Sequence, residues 1–181
     1  MTAPQGRAAA DVEHRSALRF EPGSEQKYSN AGYIVLGLVI EKLSGMSYPD
    51  FIAEEVLRPL GMNDTGLFEL DAVVARRAVG YTRHGEGGDT PERRANFNTM
   101  PARGSSAGGG YSTASDLLKL AQVMHQERPG GRGGVGGGAP GINAAIQLAG
   151  DWTAIVLSNY DPPAAEEVAM NTLRLVGVQE K

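Results

Sequence analysis

Apolar positions along this chain are spaced to predict helices first, then a hairpin, then a last helix. Tyr33, Ile34, Val35, Leu36, Leu38, Val39, Ile40 and Leu43 cover almost the whole circumference of a helix over residues 31–44. A helix apolar all round belongs in a core. Asn30 is the expected N-cap, and Gly45 the C-terminal stop. Ser47 with Asp50 resembles a capping box that opens a second helix. Pro59 ends that helix at Leu57–Arg58, because the residue before a proline avoids the helical region. Residues 59–112 read mostly as loop, with a short helix near 70–77. Thr113 with Asp116 repeats the capping pattern, and Ser112 beside them also reads as a cap. Leu117, Leu120, Ala121 and Met124 follow at i, i+3, i+4 and i+7, predicting an amphipathic helix over 114–126. Ile142, Ala144, Ile146 and Leu148 alternate with Asn143, Ala145, Gln147 and Ala149, the pattern of a half-buried strand. Gly150-Asp151 turns the chain into a more apolar strand, Trp152 to Leu157. Asp161-Pro162-Pro163 opens the final helix, with Val168, Thr172, Leu175 and Val176 towards one side.

Helices followed by a hairpin and a covering helix favour an α+β fold with an antiparallel sheet over a parallel α/β array. The divisions expected are a leader over 1–19, a mainly helical region over 20–128, a Gly-rich connector over 129–141, and the hairpin with its helix over 142–181. Together they make one compact domain. The connector holds eight glycines in thirteen residues and reads as a flexible link. A two-stranded hairpin is marginal by itself, so its exposed edges predict further strands or a homo-oligomer.

Composition narrows the chemistry. The chain has 181 residues, enough for one domain. Seventeen basic against twenty-one acidic residues give a net charge of −4, a surface that does not attract nucleic acid. The absence of cysteine excludes a disulfide scaffold, a thiolate metal site and a cysteine nucleophile. Met1 to Arg15 lacks the apolar middle of a signal peptide, and the apolar stretch Tyr33–Ile40 is too short to span a bilayer. Neither observation assigns a compartment.

The remaining candidates carry little chemistry. His14, His84 and His125 are far apart in sequence and have no metal-ligand spacing. Ser106 and Ser112 lie beside glycines without a nucleophile-elbow pattern. Gly136 to Gly141 formally matches a dinucleotide loop, but Pro140 lies inside it and a strand pattern follows. Arg76-Arg77 and Arg93-Arg94 read as ordinary surface charge.

Phe20-Glu-Pro-Gly-Ser-Glu-Gln-Lys-Tyr-Ser-Asn-Ala-Gly-Tyr33 resembles the tyrosine-containing motif of the serine β-lactamase and penicillin-binding protein superfamily. The similarity is to its branch of class C β-lactamases, DD-peptidases and carboxylesterases. Four later segments follow in family order, beginning at Leu36, Leu57, Ala107 and Gly136, and a last strand at Val156–Tyr160 accompanies them. The resemblance implies a reduced β-lactamase/transpeptidase-like fold and a serine hydrolase acting on esters or amides such as β-lactams through an acyl-enzyme. It implies no metal or cofactor and no membrane partner. It makes Tyr28 a proton relay and Asn30 an orienting group. A hydroxyl needs an adjacent base to become a nucleophile. The one Ser-x-x-Lys beside this motif is Ser24-Glu25-Gln26-Lys27. Were residues 24–28 helical, Ser24, Lys27 and Tyr28 would share a face as nucleophile, base and relay. Val135 stands where relatives often carry histidine. A second reading therefore stays open: a catalytically inactive relative acting as a binding or assembly module.

Overall fold

The computed structural model describes residues 18–85, 88–127 and 129–177. The leader expected over 1–19 lies outside them, apart from Leu18 and Arg19. The architecture is α+β, as expected.

Helix α1 runs Asn30–Ser44 and ends on Gly45 in the left-handed region at φ 71°. Ser29, not Asn30, is its N-cap: the extended Ser29 backbone lets its Oγ accept from the Gly32 amide at 3.2 Å. Serine caps as well as asparagine does, and here it stands one residue earlier. Ser47 opens α2 (Tyr48–Phe51) by accepting from the Asp50 amide, and the coil continues as a wider π-type turn over Ile52–Leu57. The stop ahead of Pro59 is where the sequence places it.

The core expectation for α1 is overturned. Only Gly37 is buried, while Leu36 is 57% and Leu43 83% exposed. The helix leans on α2, where Glu41 Oε1 accepts from the Tyr48 amide at 2.8 Å, and not on the sheet.

No helix forms at 70–77. Those residues turn around Arg77, whose guanidinium donates to the Glu69 and Leu70 carbonyls at 2.9 and 2.7 Å. A hairpin follows in the stretch expected to be loop: β1 (Tyr81–Gly85) pairs antiparallel with β2 (Gly88–Ala95). Its residues are mostly polar, charged or glycine and lack apolar alternation. Its anchors are polar instead. The Tyr81 amide donates to the Asn159 carbonyl at 2.8 Å, and Asn96 Nδ2 donates to the Pro140 carbonyl at 2.9 Å. Asp161 accepts from the Gly141 amide at 2.8 Å and the Arg83 amide at 3.1 Å. Gly141 has φ 77°, and a Cβ there would stand 2.9 Å from the Tyr81 nitrogen, so only glycine permits this approach.

Burial is the largest influence on Asp161 and pushes its pKa up. Hydrogen bonds from Thr82, Gly141 and Arg83, with the charge of His84, together outweigh it and hold the carboxyl below its ordinary value. The folded pKa is therefore below the unfolded one, near ~3.9. The stabilisation is present above that value and is lost as pH falls through the folded pKa. The melting-temperature gap between wild type and Asp161→Ala should be wide at neutral pH and close in acid. A gap independent of pH contradicts this assignment.

Helix α3 runs Ala114–Glu127, with Thr113 Oγ1 accepting from the Asp116 amide at 3.2 Å. Thr113, not Ser112, holds the cap; Ser112 Oγ bonds Thr65 Oγ1 at 2.7 Å. The Gly-rich segment is not a connector. Residues Arg132–Ala139 form β3, in unbroken antiparallel register with β4 (Ile142–Ala149) from Arg132↔Ala149 to Ala139↔Ile142. β5 (Trp152–Ser158) pairs on the other side, giving the order β3-β4-β5. Helix α4 (Ala164–Leu175) closes the chain.

Two helices sandwich the sheet. Ala165, Ala169 and Leu173 of α4 pack on Ala145, Ala149 and Ala154. On the opposite face, Ala121 of α3 meets Ile146 and Leu148, with Leu117, Met124 and Ile155 around them. β4 is thus buried on both faces rather than one. The side of α4 that carries Val168 and Leu175 is not the one that docks: these residues are 51% and 88% exposed. The alanine-lined sheet accepts small residues at close approach, so the alanine face of α4 docks. Among the described residues, no helix is long and apolar enough to cross a membrane.

Candidate functional site

The irregular stretch 25–29 delivers Tyr28 to the start of α1. Its ring lies 5.4 Å from the ring of Tyr33, one helical turn on, with the planes tilted by 37°. An open depression of about 370 Å³ lies there, lined by Gln26, Lys27, Tyr28, Ser29, Gly32, Tyr33 and Leu36. Tyr28 is 69% exposed, so its hydroxyl is reachable from solvent. Asn30 is the first residue of α1, beside the same feature.

Lys27 and Tyr28 therefore border one surface. Ser24 does not line it. Residues 24–28 are not helical, and Ser24 sits in the Pro22-Gly23 turn with its Oγ donating to the Glu21 carbonyl at 2.7 Å. The helical face expected to join Ser24, Lys27 and Tyr28 does not form, because Gly23 at φ 87° turns the chain there. Ser29 is the residue that sequence reasoning passed over. It both caps α1 and lines the depression, and its signal was the ordinary serine preference at a helix start.

Val135 projects from the edge strand β3, paired with Ile146 and 56% exposed. Its neighbours on that face, Gly133 and Gly137, look onto open space. The other face carries Gly136 against Glu166 and Gly138 against Pro162. Valine can neither carry a proton nor donate a hydrogen bond, so this face of β3 offers backbone groups and little else.

Other candidates have structural roles. His84 Nδ1 and Asp89 Oδ1 are 2.5 Å apart across the β1–β2 hairpin. His125 Nε2 bonds Thr153 Oγ1 at 2.7 Å, tying α3 to β5. Arg93 stacks over Tyr160 at 4.7 Å, a cation–π contact. Gly136–Gly141 belongs to β3 and its turn into another strand, the wrong setting for a dinucleotide loop. Among the described residues, no group of His, Asp or Glu is placed to hold a metal ion. His14 lies outside those residues.

Helices on both faces of an antiparallel sheet are the fold that the resemblance to the serine β-lactamase and penicillin-binding protein superfamily implies. The comparisons agree. The Beta-lactamase family profile matches residues 3–134, and the chain belongs to that family. It is 36% identical over 115 residues to penicillin-binding protein 4* of Bacillus subtilis, covering 60% of this chain and 26% of that protein. A penicillin-binding protein structure from Bacillus halodurans superposes with TM-score 0.80 at 24% identity, over 96% of this chain and 63% of that one. The octameric penicillin-binding protein homologue from Pyrococcus abyssi superposes with TM-score 0.73 at 23% identity, over 96% of this chain and 47% of that one. The chain thus spans about a quarter of the length of the Bacillus subtilis relative and less than two thirds of either structure.

Proposed function

We propose that this chain acts in hydrolysis of ester or amide bonds, β-lactams included, through an acyl-enzyme. The observation that carries the reading is Tyr28 and Lys27 bordering one open depression at the start of α1, inside the span matched by the family. Tyr28 relays protons and Asn30 orients the substrate amide. Ser24 is the candidate nucleophile and Lys27 its base. Ser24 Oγ bonds to the acyl carbon, its proton passes to Lys27, and the leaving group departs with a proton returned through Tyr28. Water then attacks the acyl-serine and releases the acid. For this, Ser24 must give up its bond to the Glu21 carbonyl and enter the depression. The named activity of the Bacillus subtilis relative, penicillin binding, favours a lactam or a related amide as substrate.

A second reading is favoured by Val135 and by Ser24 held in its own turn: an inactive relative serving as a binding or assembly module. Its exposed sheet edges suit a homo-oligomer, and an octameric homologue shares the fold.

The deciding experiment incubates the folded protein with a chromogenic cephalosporin, a p-nitrophenyl ester and a fluorophosphonate, and maps any covalent label by mass. A label on Ser24, with turnover that falls about 10²-fold or more in Tyr28→Phe, supports catalysis. A folded protein without turnover or label supports the assembly module.

A further inference from the structure

We infer that Tyr33 is a positioning residue for the Tyr28 phenol: its ring, fixed on the first turn of α1, holds the Tyr28 side chain in one rotamer at the depression. The inference deepens the hydrolytic reading above and rests on it, because it names what keeps the proposed relay in place.

Tyr28 stands in the irregular stretch ahead of α1, outside any helix or strand. Its main chain is held through the residue that follows. Ser29 is the N-cap of α1, with an extended backbone at φ −147° and ψ 115°. Its Oγ accepts from the Gly32 amide at 3.2 Å, and its carbonyl accepts from the Tyr33 amide at 3.3 Å. These two bonds tie the backbone beside Tyr28 to the helix. They leave the two side-chain torsions of Tyr28 free. The staggered wells of χ1 lie roughly 120° apart. A hydroxyl at the far end of a phenol ring moves by several ångström between them. Proton transfer needs heavy atoms within about 2.6–3.2 Å. A relay on a free rotor therefore spends much of its time out of reach.

The second ring supplies the missing constraint. The centroids of Tyr28 and Tyr33 are 5.4 Å apart and their planes are tilted by 37°. That lies inside the range of about 4.5–7 Å in which aromatic pairs attract beyond their buried area. Tyr33 is the better-fixed member of the pair. It belongs to a regular helix, whose preceding turn disfavours one of its χ1 wells, and its amide makes the first-turn bond to Ser29. Both rings line the same depression as Lys27, so the rotamer that keeps the ring contact also keeps the phenol beside the proposed base. Leu36, one turn further along α1, lines the depression too, but it has no ring to orient Tyr28. A tilted ring pair shifts the population of the held rotamer by about 2- to 12-fold. The same factor is the expected share of Tyr33 in turnover, well below that of the relay itself.

Three-bond couplings of the Tyr28 β-protons, measured by NMR on the full chain, read its χ1 rotamer. Wild type and Tyr33→Phe, which keeps a ring, should show one dominant rotamer. Tyr33→Leu keeps a good helix former and an apolar side chain, and should show an average over wells with unchanged circular dichroism. Turnover of a p-nitrophenyl ester by the same three proteins gives the second readout. In Tyr33→Leu, kcat should fall about 2- to 12-fold at an unchanged KM, and Tyr33→Phe should restore it. An averaged Tyr28 in the wild type overturns the inference. So does a rotamer that Tyr33→Leu leaves unchanged, or a Tyr33→Leu enzyme with the wild-type kcat. Cross-relaxation between the two rings in the wild type needs no variant, and its absence overturns the inference as well. A Tyr28 rotamer set by Tyr33 without turnover in any of the three proteins sinks the hydrolytic reading alone. Turnover with an averaged Tyr28 sinks the positioning role alone.

Discussion

Replacing Asp116 by alanine should cost about 3 kcal/mol of folding stability. The side chain is buried at 3% exposure in the first turn of α3. Its Oδ2 accepts from the Asp64 amide and from Thr65 Oγ1, both at 2.8 Å, and its Oδ1 accepts from Lys119 Nζ at 2.8 Å. Lys119 also donates to the Gly61 carbonyl. One carboxylate thus fastens α3 to the 61–65 segment beside the buried Met62. Alanine would leave the Asp64 amide without its acceptor and leave the Thr65 hydroxyl only its bond with Ser112 Oγ. The ion-pair share is small, because Lys119 is 41% exposed and solvent screens it. Burial, the largest influence on Asp116, pushes its pKa up. The bonds from Lys119, Thr65 and Asp64, with the Lys119 charge, outweigh burial and hold it below the ordinary value. Its contribution is therefore full above the unfolded carboxylate pKa and lost as pH falls through the folded one. Urea titration should show a lower midpoint for Asp116→Ala at neutral pH with an unchanged slope. An unchanged midpoint would show that the network contributes nothing.

Asn143→Ala should cost about as much, near 3 kcal/mol, for a different reason. Asn143 is fully buried on β4. Its Nδ2 donates to the Gly137 carbonyl at 3.1 Å, and its Oδ1 accepts from the Ala165 amide at 2.6 Å. Pro163, the residue before α4, makes no side-chain cap. Asn143 therefore caps α4 from the strand beneath it and pins β3 in the same contact. Alanine removes both bonds, orphans the amide of Ala165, which is 0% exposed, and leaves a void. Asn143→Asp keeps the acceptor and puts negative charge at a helix N-terminus, so it should lose less than alanine. Thermal melts of the three proteins should rank wild type, Asp, Ala. Alanine equal to wild type would refute the capping role.

These two residues illustrate what the sequence makes visible. Asp116 is legible as a helix-start residue, but not as the acceptor for a segment 52 positions away. Asn143 reads as the polar side of a half-buried strand, because nothing local says that both faces of β4 will be covered. The same limit explains α4. Its larger side chains Val168 and Leu175 mark one side of the helix, whereas an alanine-lined sheet selects the alanine side. β3 was invisible because glycines have no side chains to alternate; its ladder to β4 alone makes it a strand. β1 and β2 are held by polar anchors and leave no apolar signature. The helices α1 and α3, both later strands and the Gly45 stop are legible, since spacing and caps are local. At the site, Tyr28 and Asn30 are found by resemblance, while the turn that withholds Ser24 depends on Gly23.

The exposed side of α1 has a thermodynamic consequence. Heat-capacity change on unfolding scales with apolar surface newly wetted, about 12–15 cal/mol/K per residue in an ordinary domain. Tyr33, Leu36, Val39 and Leu43 are already substantially hydrated in the folded chain. Their region adds little to that quantity, so the stability curve of the isolated chain is flatter with temperature than its length alone dictates.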